Sequence, residues 1–197
     1  MFKRKDDPMK KSTITLLVLI ILIALGGMIL FSAYNGLAAS REAVSTKQAN
    51  IDSQLQRRAD LIPNLVETVK GFAQQEKDVI DSVTSARSKL AGAQTMSDKA
   101  EANDELTSAI SRLLVVVENY PTLKSDATFI GLMDELAGTE NRISVARDDY
   151  NKAVQSYNTR IVTLPSSLIA NMAGFEKADY FKASEGAQAP PSINFNK

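Results

Sequence analysis

The sequence predicts an all-α protein, an N-terminal transmembrane helix followed by an elongated antiparallel four-helix bundle. Three observations carry this. Residues 14–31 form an apolar run without a charge. Beyond it, apolar residues recur at a spacing close to 3.5, the period of packed helices rather than strands. No period-two alternation lasts, and Ala, Leu, Gln, Glu and Lys, all good helix formers, are frequent.

The apolar run, ITLLVLIILIALGGMILF, has Thr15 as its one polar side chain. At the helical rise it covers roughly 27 Å, close to the hydrocarbon thickness of a bilayer. The span is therefore set at 13–33, against the competing readings of a buried core helix and of a cleaved signal sequence with its cut near Gly36. A signal core is usually shorter than this run. Lys3, Arg4, Lys5, Lys10 and Lys11 precede it, whereas residues 32–46 hold Arg41 alone among basic residues. By the positive-inside rule, the tail 1–12 is cytoplasmic and the rest of the chain lies outside the cell membrane.

The span is expected to continue as a helix over 34–59, with Leu37, Val44, Ile51 and Leu55 on its apolar side. From Ile51 a 4,3 alternation continues through Leu55, Arg58, Ile62, Leu65, Val69, Phe72, Glu76, Val79, Val83, Ala86 and Leu90. Pro63 falls inside this register. It removes a backbone donor, so it either kinks one helix or lies in the first turn of a new one capped by Asp60. Residues 92–97 read as a turn. Ser97 and Asp98 then open a helix with Ala102, Leu106, Ala109, Leu113, Val116 and Tyr120 on its apolar side, ending before Pro121.

Ser125 is expected to cap the next helix. Its apolar positions Phe129, Leu136, Ile143, Tyr150, Tyr157 and Leu164 recur every seven residues beside Met133, Glu140, Arg147, Val154 and Ile161. This is a two-row seam stopped near Pro165. A short helix over 166–173 with Gly174 as C-cap closes the domain, 34–183, and 184–197 has the composition of a flexible tail. A two-helix rod kinked at Pro63 and Pro121 is the alternative architecture.

With no Cys and no His among 197 residues, disulfides, thiolate nucleophiles and Ser-His-Asp chemistry are excluded. The lack of Cys also fits an oxidising compartment. Without the tail's five basic and two acidic residues, the 23 of each sign become 18 and 21, a net of about −3, which recruits no nucleic acid.

The unusual residues are charges and amides at seam positions: Arg58 and Glu76 on one long helix, Glu140 and Arg147 on another, with Asn64, Glu118 and Asn151 beside such positions. A di-iron carboxylate site needs Glu-x-x-His pairs and is thereby ruled out. Paired carboxylates suit general acid-base work; a ligand-binding or hydrolytic bundle using Glu118, Glu140 and Tyr150 is the alternative function. The preferred expectation is a structural polar network that fixes register, with Glu140 paired to Arg58 or Arg147. The Tyr-Asn pairs at 34, 150 and 157 are expected to pack their rings and find partners for their polar atoms.

The run QLQRRADLIPNLVETVKGFAQQE, then ENYPTLKSDATFIGLMDELAGTENRISVARDDYN, VQSYNTRIVTLPSSLIA and a closing PSINF resemble the bacterial LemA family from the anchor to Phe195. The resemblance implies a membrane anchor with an elongated helical bundle and supplies no catalytic residues or cofactor. It associates relatives with envelope maintenance, with a neighbouring membrane metalloprotease, and in magnetic bacteria with shaping intracellular membranes. The family is sometimes described with its short N-terminus outside; the basic residues before this span argue for the opposite. The expected function is thus a non-enzymatic single-pass membrane protein acting as an envelope scaffold or interaction module, partnered by a membrane protein or by copies of itself.

Overall fold

The protein is described by a computed structural model over residues 8–182. Residues 1–7 of the expected basic tail and the expected tail 184–197 lie outside the described residues. The described chain forms helices α1 (Pro8–Phe72), α2 (Lys77–Gly92), α3 (Met96–Val117), α4 (Pro121–Lys124), α5 (Ala127–Val162) and α6 (Ser166–Ala173), and no strand. It divides into two compact units, one of residues up to 42 with 156–177, the other of 43–155 with the residues from 178 onward.

In the first unit, α1 carries the apolar run. Its large side chains between Ile14 and Phe31 are 41–69 % exposed. That exposure disposes of the buried-core-helix reading and leaves, among the described residues, one helix long and apolar enough to cross a membrane. Farther along α1, Leu37 is buried, as is Tyr157 on the end of α5. Arg160 donates from Nη1 to the Gly36 carbonyl at 3.2 Å. A side chain at Gly36 would meet that guanidinium, so glycine permits the approach. Leu164–Pro165 is a cis peptide, and α6 follows with Gly174 in the left-handed conformation as its C-cap. Phe175 then lies edge-on to Tyr34, with ring centroids 5.8 Å apart.

The second unit is built from α2, α3, α4 and the parts of α1 and α5 that fall within it. The expected α1 row is buried at Val44, Ile51, Leu55, Arg58, Ile62, Leu65 and Val69. The register then slips. α1 ends at Phe72, which is exposed, and Ala73 is buried instead. The core row resumes on α2 at Ile80, Val83, Ala86 and Leu90. Glu76 therefore does not share a helix with Arg58, as the alternation had suggested; it sits in the break as the N-cap residue of α2.

Two helix starts also differ from expectation. Thr95, not Ser97, caps α3: its hydroxyl accepts from the Asp98 amide at 3.1 Å and its own amide donates to the Asp98 carboxylate at 3.2 Å. This reciprocal box satisfies two donors where a hydroxyl at 97 would satisfy one. The start of α5 is capped by Asp126, whose carboxylate accepts from the Phe129 amide at 2.9 Å, while the Ser125 hydroxyl donates back to the carbonyls of Pro121 and Thr122.

The seven-residue row of α5 is buried from Phe129 through Leu136, Ile143 and Tyr150 to Tyr157. Leu164 leaves it: α5 stops at Val162 and Leu164 is 76 % exposed. The companion row, Met133, Glu140, Arg147 and Ile161, is half-buried except at Val154. The seam is thus one buried row with an amphipathic shoulder.

Candidate functional site

Arg57 and Arg58 are chain neighbours that α1 sends to different environments. Arg57 pairs with the exposed Glu135 of α5 at 2.9 Å. Arg58, with a side chain 4 % exposed, enters the core of the second unit. There its Nη1 donates to Asn103 Oδ1 of α3 at 2.6 Å and to Glu140 Oε2 of α5, and its Nη2 donates to Thr107 Oγ1 at 3.0 Å. One guanidinium therefore joins three helices, using the fork geometry that a lysine lacks. Burial pushes Arg58 below its ordinary range, and the carboxylates of Glu140 and Asp104 push it back up. Arg58 Nε and Asn103 Nδ2 are buried and meet no acceptor among the described residues.

The expected pairing of Glu140 with an arginine thus takes the Arg58 alternative. Arg147 does not join it; its guanidinium lies 4.9 Å from the centre of the Phe181 ring, a cation–π contact. Asn151 is also outside that cluster. It clasps the backbone of Phe181 from both sides: Phe181 N donates to Asn151 Oδ1 at 2.9 Å and Asn151 Nδ2 donates to the Phe181 carbonyl at 3.1 Å. Tyr150 donates to the Asp179 carbonyl at 2.8 Å. In the first unit, Tyr157 donates to the Glu176 carbonyl at 2.9 Å. Burial raises both phenols above their usual range, aided at Tyr150 by the charges of Asp179 and Asp52 and opposed at Tyr157 by Arg41. These side chains hold the segment after α6 in place of a ladder that the irregular backbone cannot make.

Three expected members stand apart. Asn64 is exposed, and its carbonyl accepts from the Thr68 hydroxyl at 2.8 Å. Glu118, past the end of α3, pairs with Lys124 at 2.6 Å with both side chains mostly in solvent. Glu76 accepts from the Tyr120 hydroxyl at 2.9 Å. Glu118, Glu140 and Tyr150 are each engaged by a different partner: Lys124, Arg58 and the Asp179 carbonyl. Among the described residues, no three carboxylates lie close enough together to hold a metal ion.

Sequence reasoning missed Asn103, Thr107 and Arg87. Asn103 begins the row Leu106, Ile110, Leu113 and Val117, all buried, and extending that 3,4 spacing one step backward would have found it. Arg87 carried no such signal. Its Nε donates at 2.9 Å to the carbonyl of Ala59, the acceptor four residues before Pro63, where proline has no N–H to offer. Pro63 lies inside α1, so it interrupts one helix rather than starting another.

Set beside known proteins, the chain is 27% identical over 187 residues to Magnetosome protein MamQ 2 of Paramagnetospirillum magneticum, covering 82% of this chain and 69% of that one. Magnetosome protein MamQ of Magnetospirillum gryphiswaldense is 25% identical with the same coverage. Protein LemA of Metamycoplasma hominis is 22% identical over 152 residues, 77% of this chain and 69% of that one. Residues 47–195 match the LemA family, and by that match, across the Arg58 cluster and the Phe181 clasp alike, the chain belongs to the LemA family.

Proposed function

We propose that this LemA-family chain is a non-enzymatic membrane scaffold, anchored by the apolar part of α1 with its N-terminus in the cytoplasm. On this reading, the helices beyond the span act outside the membrane as an interaction module for a membrane protein and for further copies of the chain. The observation that carries it is that a single helix, α1, supplies both the exposed apolar run and the buried row from Val44 to Val69. Anchor and module are one covalent element with no linker between them.

The chemistry of the core supports the same reading. Its charged groups engage one another and the backbone, which suits a specified architecture better than turnover. A membrane metalloprotease is the partner class that the family resemblance puts first.

Crosslinking in native membranes followed by mass spectrometry tests the proposal. The expected result is the same neighbour, or the same self-crosslink, in repeated preparations. Recovery of monomer alone would overturn it.

A further inference from the structure

Residues 161–175, IVTLPSSLIANMAGF, contain no Asp, Glu, Lys or Arg. Charged residues make up 23% of the chain, so a gap of this length outside the apolar run stands out. It contains the last two residues of α5, the turn through Pro165, and α6. Several of its large side chains are left outside the packing of the first unit. Val162, Leu164 and Leu168 are exposed by more than half, and Met172 is 85 % exposed. Leu168 and Met172 lie four apart on α6 and so share a face, while Ala170 is the buried residue of that helix.

The first unit places this uncharged segment beside the end of the α1 apolar run. Met28, Ile29 and Ser32 of α1 and Arg160, Pro165 and Ser166 line a common cavity of about 470 Å³. Arg160, the charge that ends the gap, is tied to the Gly36 carbonyl just beyond the run. An apolar helix face, a long cation at its edge and the exit of a span at the same level are the parts of an interfacial membrane contact.

We infer that α6 and its flanks form a second membrane contact, with Val162, Leu164, Leu168 and Met172 seated in the phospholipid interface at the leaflet where α1 leaves it. Arg160 stands at headgroup level, with guanidinium donors beyond the one given to Gly36 available to phosphate oxygens. The inference rests on the proposal that α1 spans a bilayer, and its test separates the two.

The chain has no Cys, so single substitutions L168C and M172C, with L19C in the apolar run and V145C at an exposed site of the second unit, each carry one environment-sensitive fluorophore. The full chain is reconstituted at one copy per phospholipid nanodisc, with and without brominated acyl chains. Labels at 168 and 172 are expected to emit at shorter wavelength than the label at 145 and to lose intensity in brominated lipid, as the label at 19 does. Quenching at 19 with water-like emission at 168 and 172 would overturn the second contact alone. Blue-shifted emission at 168 and 172 that brominated lipid leaves unchanged would assign the face to protein and overturn it as well. No quenching at 19 would overturn the anchor and the inference together.

Discussion

Arg58 shows what a buried charge contributes at the scale of one residue. Its guanidinium is out of water, yet the carboxylate that balances it is not: the Glu140 side chain is 38 % exposed. Breaking a fully buried pair costs about 3–5 kcal/mol because the survivor is left uncompensated. Solvent already screens one end of this pair, so Glu140→Ala is expected to cost less, about 1–3 kcal/mol. Glu140→Gln, which keeps an acceptor for Nη1, should cost less still. Arg58→Ala removes the donor shared by Asn103, Thr107 and Glu140 and should exceed either, at about 3 kcal/mol or more. Urea unfolding of the full chain in detergent, followed by circular dichroism, orders the three variants. An Arg58→Ala midpoint at or above that of Glu140→Ala would show that the guanidinium does not hold the three helices together.

At the scale of elements, Pro63 and Arg87 belong to one device. A proline inside a helix leaves the carbonyl four residues earlier without its donor, and here a side chain from α2 supplies one, which also ties α2 to α1. Arg87→Ala should therefore cost about 1.5–3 kcal/mol, the range for a charged hydrogen bond to an otherwise unsatisfied carbonyl. In a Pro63→Ala background the backbone amide of residue 63 serves Ala59, and that cost should fall by about 1 kcal/mol in a double-mutant cycle. Strict additivity of the two substitutions would separate them. This pair also marks where the sequence is legible and where it is not. The helix class and the buried rows of α1 and α5 follow from periodicity, because spacing alone decides which side chains share a face, and the α6 bounds follow from Pro165 before it and Gly174 after it. The partner of Ala59 does not, because spacing within α1 says nothing about which residue of α2 reaches it. The end of α1 at Phe72 was hidden for a related reason. Glu76 and Val79 continue the alternation on paper, but the break between α1 and α2 buries Ala73 and Ile80 in place of Phe72 and Val79, leaves no proline as a marker, and returns to the expected row at Val83, Ala86 and Leu90. Asn151 was legible as a polar seam residue, but its partner, the backbone of Phe181, lies in an irregular segment with no periodicity to read.

At the scale of the whole molecule, charge and apolarity are distributed unevenly, and the imbalance argues for one orientation. Five basic residues precede the apolar run and Arg41 alone lies in the fifteen that follow it. Basic residues close to a span are retained on the cytoplasmic side, so the N-terminus is expected inside and α2 through α6 outside. Because the chain has no Cys, one cysteine at a time reports the side it occupies to a membrane-impermeant maleimide added to intact cells. Val145→Cys, at an exposed position on α5, is expected to label without cell lysis, and Asp6→Cys, within the basic tail, only after lysis. The reverse pattern would place the bundle in the cytoplasm and confine its partners to that side. Replacing Lys3, Arg4, Lys5, Lys10 and Lys11 with Gln should then weaken the preference, moving part of the Asp6→Cys signal to the unlysed sample. An unchanged pattern in that variant would mean that the folded part of the chain, rather than the charge of its tail, decides which side it occupies.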